Sequence, residues 1–255
     1  MSLVLAELLK LRTTRVPYVL VGIIALLSAA ATSALVGSGS LGDDAEPAVS
    51  LAQGASFSGI LALVLGILIV TNEYRHGTVN STFLFEPRRE RVLLAKVVAA
   101  ALAGLVVAAA ALATALLVAI PWMAARDESL PLGGDLGEAG VRLAAVYILY
   151  CLLGLGIGAV LQNQVGAIVT ALIWFFIGES VISVVAGLLG DGVGEPDPVS
   201  PYLPGSALGG ILGFSQGEGA DEFLLSPLAS TGLATAYVVG ALVLGALAMM
   251  RRDPT

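Results

Sequence analysis

Six stretches of the chain run apolar for long enough to matter: residues 16–36, 51–71, 97–123, 143–161, 166–189 and 228–250. A hydrocarbon layer about 30 Å thick is crossed by about 20 apolar residues in a helix. Backbone groups in lipid must be satisfied within their own segment, which makes helices the default. The alternating apolar and polar positions of a membrane barrel are absent. The pattern therefore predicts an all-α integral membrane protein with six transmembrane helices and a single transmembrane domain over residues 1–255.

The segments between these stretches predict further elements. In residues 2–15, Leu3, Leu5, Leu8, Leu9 and Leu11 make a mostly apolar surface, with Glu7, Lys10, Arg12 and Arg15 at polar positions. This reads as an interfacial helix that turns near Pro17 into the first span. Lys10, Arg12 and Arg15 precede an apolar run longer than the 7–15 residues typical of a signal peptide, so an uncleaved span is expected. The connections 38–50, 126–138 and 191–227 are acidic. The middle of the last, 204–214, is apolar enough for a short helix in the outer interface, with a plain loop as the other reading.

Composition agrees with the pattern. The chain is 57% hydrophobic and 12% charged, with a mean hydropathy of +0.94, against about 25% charged residues in a soluble domain. Charge then supplies a direction. Ten of the twelve Lys and Arg residues fall on one side of a six-span arrangement, and only Arg126 and Arg142 fall on the other. By the positive-inside rule both termini and the connection 72–96 lie in the cytoplasm, in a multi-pass protein of the cell membrane. The net charge of −7 averages two unlike surfaces, and no basic face is large enough for a nucleic acid.

Candidate chemistry is sparse. One histidine, His76, rules out a metal site built on several imidazoles, and the lone Cys151 supports no intrachain disulfide. No Gly-rich phosphate loop or HExxH pattern occurs. An enzyme is not expected.

The densest polar region is the connection 72–96, NEYRHGTVNSTFLFEPRRERVLLAK. Gly77 is placed to end or bend a helix, and Thr78 or Asn80 to cap a short one running toward Phe85. Pro87 breaks it, and Arg88 to Lys96 lead into the third span. Phe83 and Phe85 sit among charged neighbours, an arrangement suited to docking on a soluble partner. Alternatively, its arginines are topogenic charges beside anionic lipid.

Glu73-Tyr74-Arg75-His76-Gly77-Thr78, followed by Pro87-Arg88-Arg89 and Lys96, resembles the cytoplasmic loop of type-2 ATP-binding-cassette (ABC) exporter permeases. Glu7 through Arg15 (ELLKLRTTR) resembles that family's N-terminal elbow helix. Gly158 through Ala167 (GAVLQNQVGA) is similar to its tight turn between spans four and five, and Arg251-Arg252-Asp253 to its tail. The resemblance implies a cytoplasmic coupling helix within 73–87 that contacts a separate ATPase subunit. Glu73, Arg75, Gly77, Thr78, Phe83, Phe85, Pro87 and Arg88 would be at or bracing that contact. It also implies two ATPase copies, a second permease copy in a homodimer, and ATP with Mg bound by the partner and no cofactor on this chain. A drug-like, peptide or lipid substrate would be exported. The alternatives are a non-transporting membrane immunity or regulatory protein and, more remotely, a secondary transporter.

One charge interrupts the fifth span. Glu179 lies 13 residues, roughly 20 Å, from the start of that span, where an unpaired carboxylate costs about 2.5–3.5 kcal/mol. Arg142, near the outer end of the fourth span, is one candidate partner by snorkelling, and Tyr147 and Tyr150 are others. Glu179 and Arg142 thus mark either a translocation path or dimer seam, or a structural pairing between helices. Gly154, Gly156 and Gly158 are small residues for close helix approach, and Trp122 suits an interfacial anchor.

Overall fold

The computed structural model describes residues 3–37, 47–77, 88–125, 134–189, 199–213 and 225–251. Helix makes up 91% of it, and no strand occurs among the described residues. The elements in chain order are α1 (Leu3–Thr13), α2 (Val16–Gly37), α3 (Pro47–Ser56), α4 (Gly59–Arg75), α5 (Arg89–Ala124) and α6 (Gly134–Leu161). Next come α7 (Gln164–Ile173), a π-helical turn (Trp174–Gly178), α8 (Glu179–Leu189), a 3-10 turn (Ser200–Tyr202), α9 (Pro204–Gly210) and α10 (Pro227–Arg251).

Among the described residues five helices are long and apolar enough to cross a membrane, and six spans result if α3 and α4 form one. Those two helices meet at a bend of 46°, where the sequence alone predicted one straight run over 51–71. A break within lipid frees backbone carbonyls, which need partners. Here the Tyr147 hydroxyl donates to the Ala55 carbonyl at 2.8 Å and lies 2.8 Å from the Ser58 hydroxyl. Ser28 on α2 donates to the same carbonyl at 3.2 Å. The bend is thus held by side chains of α2 and α6.

Helix α6 is the centre of the bundle. Of its apolar stretch 56% is buried, against 6% for the one running through α7 and α8. Two glycines let α4 and α6 touch backbone to backbone. A Cβ on Gly66 would overlap the Cys151 carbonyl, and one on Gly154 would overlap that of Leu63. Gly156 and Gly245 do the same against α10, where added Cβ atoms would meet Ala241 and Ala159. Small residues at such seams replace the hydrophobic drive that lipid removes.

Other boundaries moved for local reasons. α6 begins nine residues before the expected start at 143, so Asp135 and Glu138 lie in its first turns, where acidic groups favour the helix dipole. Glu138 also pairs with Arg142 one turn on. α5 is 36 residues long, about 54 Å at 1.5 Å per residue, and exceeds the hydrocarbon thickness at its basic end. The chain breaks at Thr14 and Arg15, and Pro17 sits in the first turn of α2, where its missing N–H is harmless. α9 occupies part of the region 204–214 for which a short helix was one reading.

Candidate functional site

The residues singled out by charge gather in two places. The first is at the basic end of the bundle. Glu7 projects from α1, Glu73 from the last turn of α4, and Lys96 from the second turn of α5. Lys96 is only 1% exposed as a side chain, yet its ammonium reaches Glu7 Oε2 at 2.8 Å and Glu73 Oε1 at 2.7 Å. A longer approach of 3.5 Å to the Ile69 carbonyl occupies its third donor. Lys10, one turn along from Glu7, closes the set at 2.6 Å from Glu7 Oε1 and 2.6 Å from Glu73 Oε1.

Two carboxylates and two ammonium groups thus form a neutral ring joining three helices. A buried charge is costly unless paired and hydrogen-bonded, and this arrangement satisfies that condition for each member. Burial lowers the proton affinity of Lys10, but the hydrogen bonds and charges of Glu7 and Glu73 outweigh it and hold the ammonium above its ordinary value. The ring orients α1 with Glu7 inward and Leu5 and Leu9 exposed.

Arg75, at the end of α4, donates to the Gln164 side chain at 3.2 Å. This joins the connection after α4 to the turn between α6 and α7. In that turn Gln162 takes a positive φ of 54°, and Asn163 caps α7 by accepting the Gly166 N–H at 2.9 Å. Gly77 has φ +67°, the left-handed conformation by which glycine stops a helix, and its N–H bonds the Tyr74 carbonyl. Arg88 is exposed and stands extended just before α5. Of the expected contact residues, Thr78, Phe83, Phe85 and Pro87 lie outside the described residues.

The second place surrounds Glu179. The π turn before it carries one residue more than an α-helical turn, which rotates α8 by about 100° relative to α7. The carboxylate accepts the Gly205 N–H of α9 at 2.7 Å. A Cβ on Gly205 would overlap this carboxylate, so a larger residue there would displace the Glu179 side chain. Among the described residues neither Arg142 nor a tyrosine donates a hydrogen bond to it. Arg142 is held by Glu138, Tyr147 by the α3–α4 bend, and Tyr150 packs its ring 5.8 Å from that of Phe175. A backbone amide of a neighbouring helix took the place of the expected side chains, which residue types alone could not reveal.

Among the described residues no group of three or more His, Cys, Asp or Glu is arranged to hold a metal ion. No family model matches the chain, and no curated protein matches it.

Proposed function

We propose that this chain is the membrane-spanning permease subunit of an ABC exporter, driven by ATP hydrolysed on a separate subunit. The resemblance in residues 73–96, 7–15 and 158–167 motivates the reading. The observation that carries it is the buried ring of Glu7, Lys10, Glu73 and Lys96. Glu73 and Lys96 stand at the two ends of the connection proposed to meet the ATPase, and both are tied to the N-terminal helix. A displacement of that connection is therefore delivered to α1, α4 and α5 together. Arg75 extends the linkage to the start of α7.

In this reading the basic end faces the cytoplasm and residues 73–87 dock on the ATPase. Two ATPases closing on ATP would push that element and tilt the spans between inward-open and outward-open arrangements. A second copy of the chain completes the membrane part, and the exposed face of α7 and α8 is available to it.

The neighbouring reading frame should encode an ATPase with a phosphate loop, and the test is co-purification of that protein with this chain. Replacing residues 78–87 by a Gly/Ser segment of equal length should abolish capture of the ATPase while the six helices still fold, judged by circular dichroism in detergent. Arg88→Glu should weaken capture about tenfold, the scale of one charge reversed at a protein contact. Undiminished capture after both changes would sink the coupling assignment.

A further inference from the structure

A cavity of about 430 Å³ lies between α6, α7 with its π turn, and α10, with Pro204 at the start of α9 forming part of its wall. It is within the usual range for small-molecule sites, about 300–1,000 Å³. Its lining is nearly all apolar, and three of the lining residues are aromatic: Trp174, Phe175 and Tyr237. Glu179 is not one of the lining residues but lies at the edge of the cavity, reached through α9. Gly205, whose N–H the carboxylate accepts, is next in the chain after the lining Pro204.

The segment from Ser200 to Gly210 is fastened over this end of the cavity at two points. Glu179 on α8 accepts the Gly205 N–H, and Tyr237 on α10 donates to the Tyr202 carbonyl at 2.6 Å. Both ties come from elements bordering the cavity.

Charge identifies the occupant. Among the described residues no Lys or Arg forms an ion pair with Glu179; the ion pairs join Lys10 and Lys96 to Glu7 and Glu73, and Arg142 to Glu138. The neutral Gly205 N–H orients the carboxylate without cancelling its charge. Three aromatic residues beside a carboxylate lacking a cation are the ingredients that favour a large, weakly hydrated cation over an anion or neutral molecule.

We propose that this cavity binds a lipophilic monocation, with the aromatic rings of Trp174, Phe175 and Tyr237 against its apolar body and Glu179 as its counter-charge. The site goes beyond the exporter reading, because binding needs no ATPase and is measured on this chain alone.

The experiment uses the full chain in nanodiscs of neutral lipid and a pair of probes alike in shape and opposite in charge. Tetraphenylphosphonium should bind saturably, and tetraphenylborate should neither bind saturably nor compete. Glu179→Gln, whose amide oxygen can still accept the Gly205 N–H, should weaken tetraphenylphosphonium binding about tenfold, the scale of one charge pair at a partly buried site. Gly240→Leu provides the second variant. Gly240 lines the cavity, and a Cβ added there meets nothing within 4 Å, so leucine fills the space and should abolish saturable binding with the helices intact.

Equal affinity of wild type and Glu179→Gln would overturn the role of the carboxylate. Equal binding of the two probes would overturn the charge preference, and saturable binding that survives Gly240→Leu would overturn the location. Failure of all three would leave the ATPase capture experiment unaffected, so the two readings fail separately.

Discussion

The two ends of this molecule handle buried charge in opposite ways. At the basic end, two carboxylates and two ammonium groups close a neutral ring within 2.6–2.8 Å of one another. At the other, Glu179 accepts a neutral backbone N–H and forms no ion pair among the described residues, at the edge of a cavity and on the least buried span. The packing shows the same division. The seams of α6 with α4 and α10 bring backbones together over glycine, while the space that α6 and α10 share with α7 and its π turn leaves a hollow. A region that pairs its charges and closes its seams transmits displacement, and one that leaves both open has room for a ligand.

The sharpest way to break the comparison is to remove one charge from each end. Lys96→Met strands Glu7 and Glu73 with only the half-exposed Lys10, and breaking a buried pair on one side costs about 3–5 kcal/mol. Adding Glu7→Gln and Glu73→Gln to that variant should restore most of the loss. Glu179→Gln, in contrast, keeps its acceptor and should shift stability by less than about 1 kcal/mol. Denaturant unfolding in mixed micelles reads all three, and equal losses at Lys96 and Glu179 would remove the distinction.

Next in size are paired valine substitutions. Gly154→Val drives a side chain into the Leu63 backbone, and overpacking of this kind costs about 1–3 kcal/mol. Gly240→Val enters open space and should be neutral or slightly stabilising. Two tyrosine deletions make the same comparison at smaller scale. Tyr147→Phe leaves the freed Ala55 carbonyl with a weaker partner set, and hydrogen bonds between membrane helices are worth about 0.6 kcal/mol on average, up to about 1.7. Tyr237→Phe removes an exposed bond and should fall below Tyr147→Phe in the same unfolding assay.

How much the sequence made legible tracks the strength of each physical constraint. Apolar length locates each long helix, because lipid enforces it, but α5 and α6 start eight and nine residues before the apolar run, in charged turns outside that constraint. The glycines of α6 were readable as packing residues for the same reason. The bend between Ser56 and Gly59 was not, since Phe57 and Ser58 interrupt neither the apolar run nor its helix propensity strongly; the partner that makes a break tolerable, Tyr147, is 89 residues from Ser58. Likewise Glu7, Lys10, Glu73 and Lys96 were each visible as charges near span ends. Their convergence depended on how α1 rolls against α4 and α5, which no single helix records. Glu179 stood out from its sequence neighbours, but its partner is a backbone amide, and amides are present at every position.

Lys10 gives the smallest effect and a test by pH. Its side chain is 46% exposed, so solvent screens its two short contacts, and an exposed pair is worth up to about 1 kcal/mol. The folded ammonium is held above its unfolded value of 10.5. A group whose proton affinity rises on folding stabilises the folded state fully below its unfolded value, and that contribution is lost as pH climbs through the folded one. The stability difference between wild type and Lys10→Met should therefore be flat from neutral pH to about 10 and shrink above 10.5. Glu7 and Glu73 are then left with Lys96 alone. Since Lys96 satisfies one oxygen of each, the ring should open at Lys10 without unfolding the bundle. A difference that stays constant through the alkaline range would show that Lys10 holds α1 by packing of its stem and not by charge.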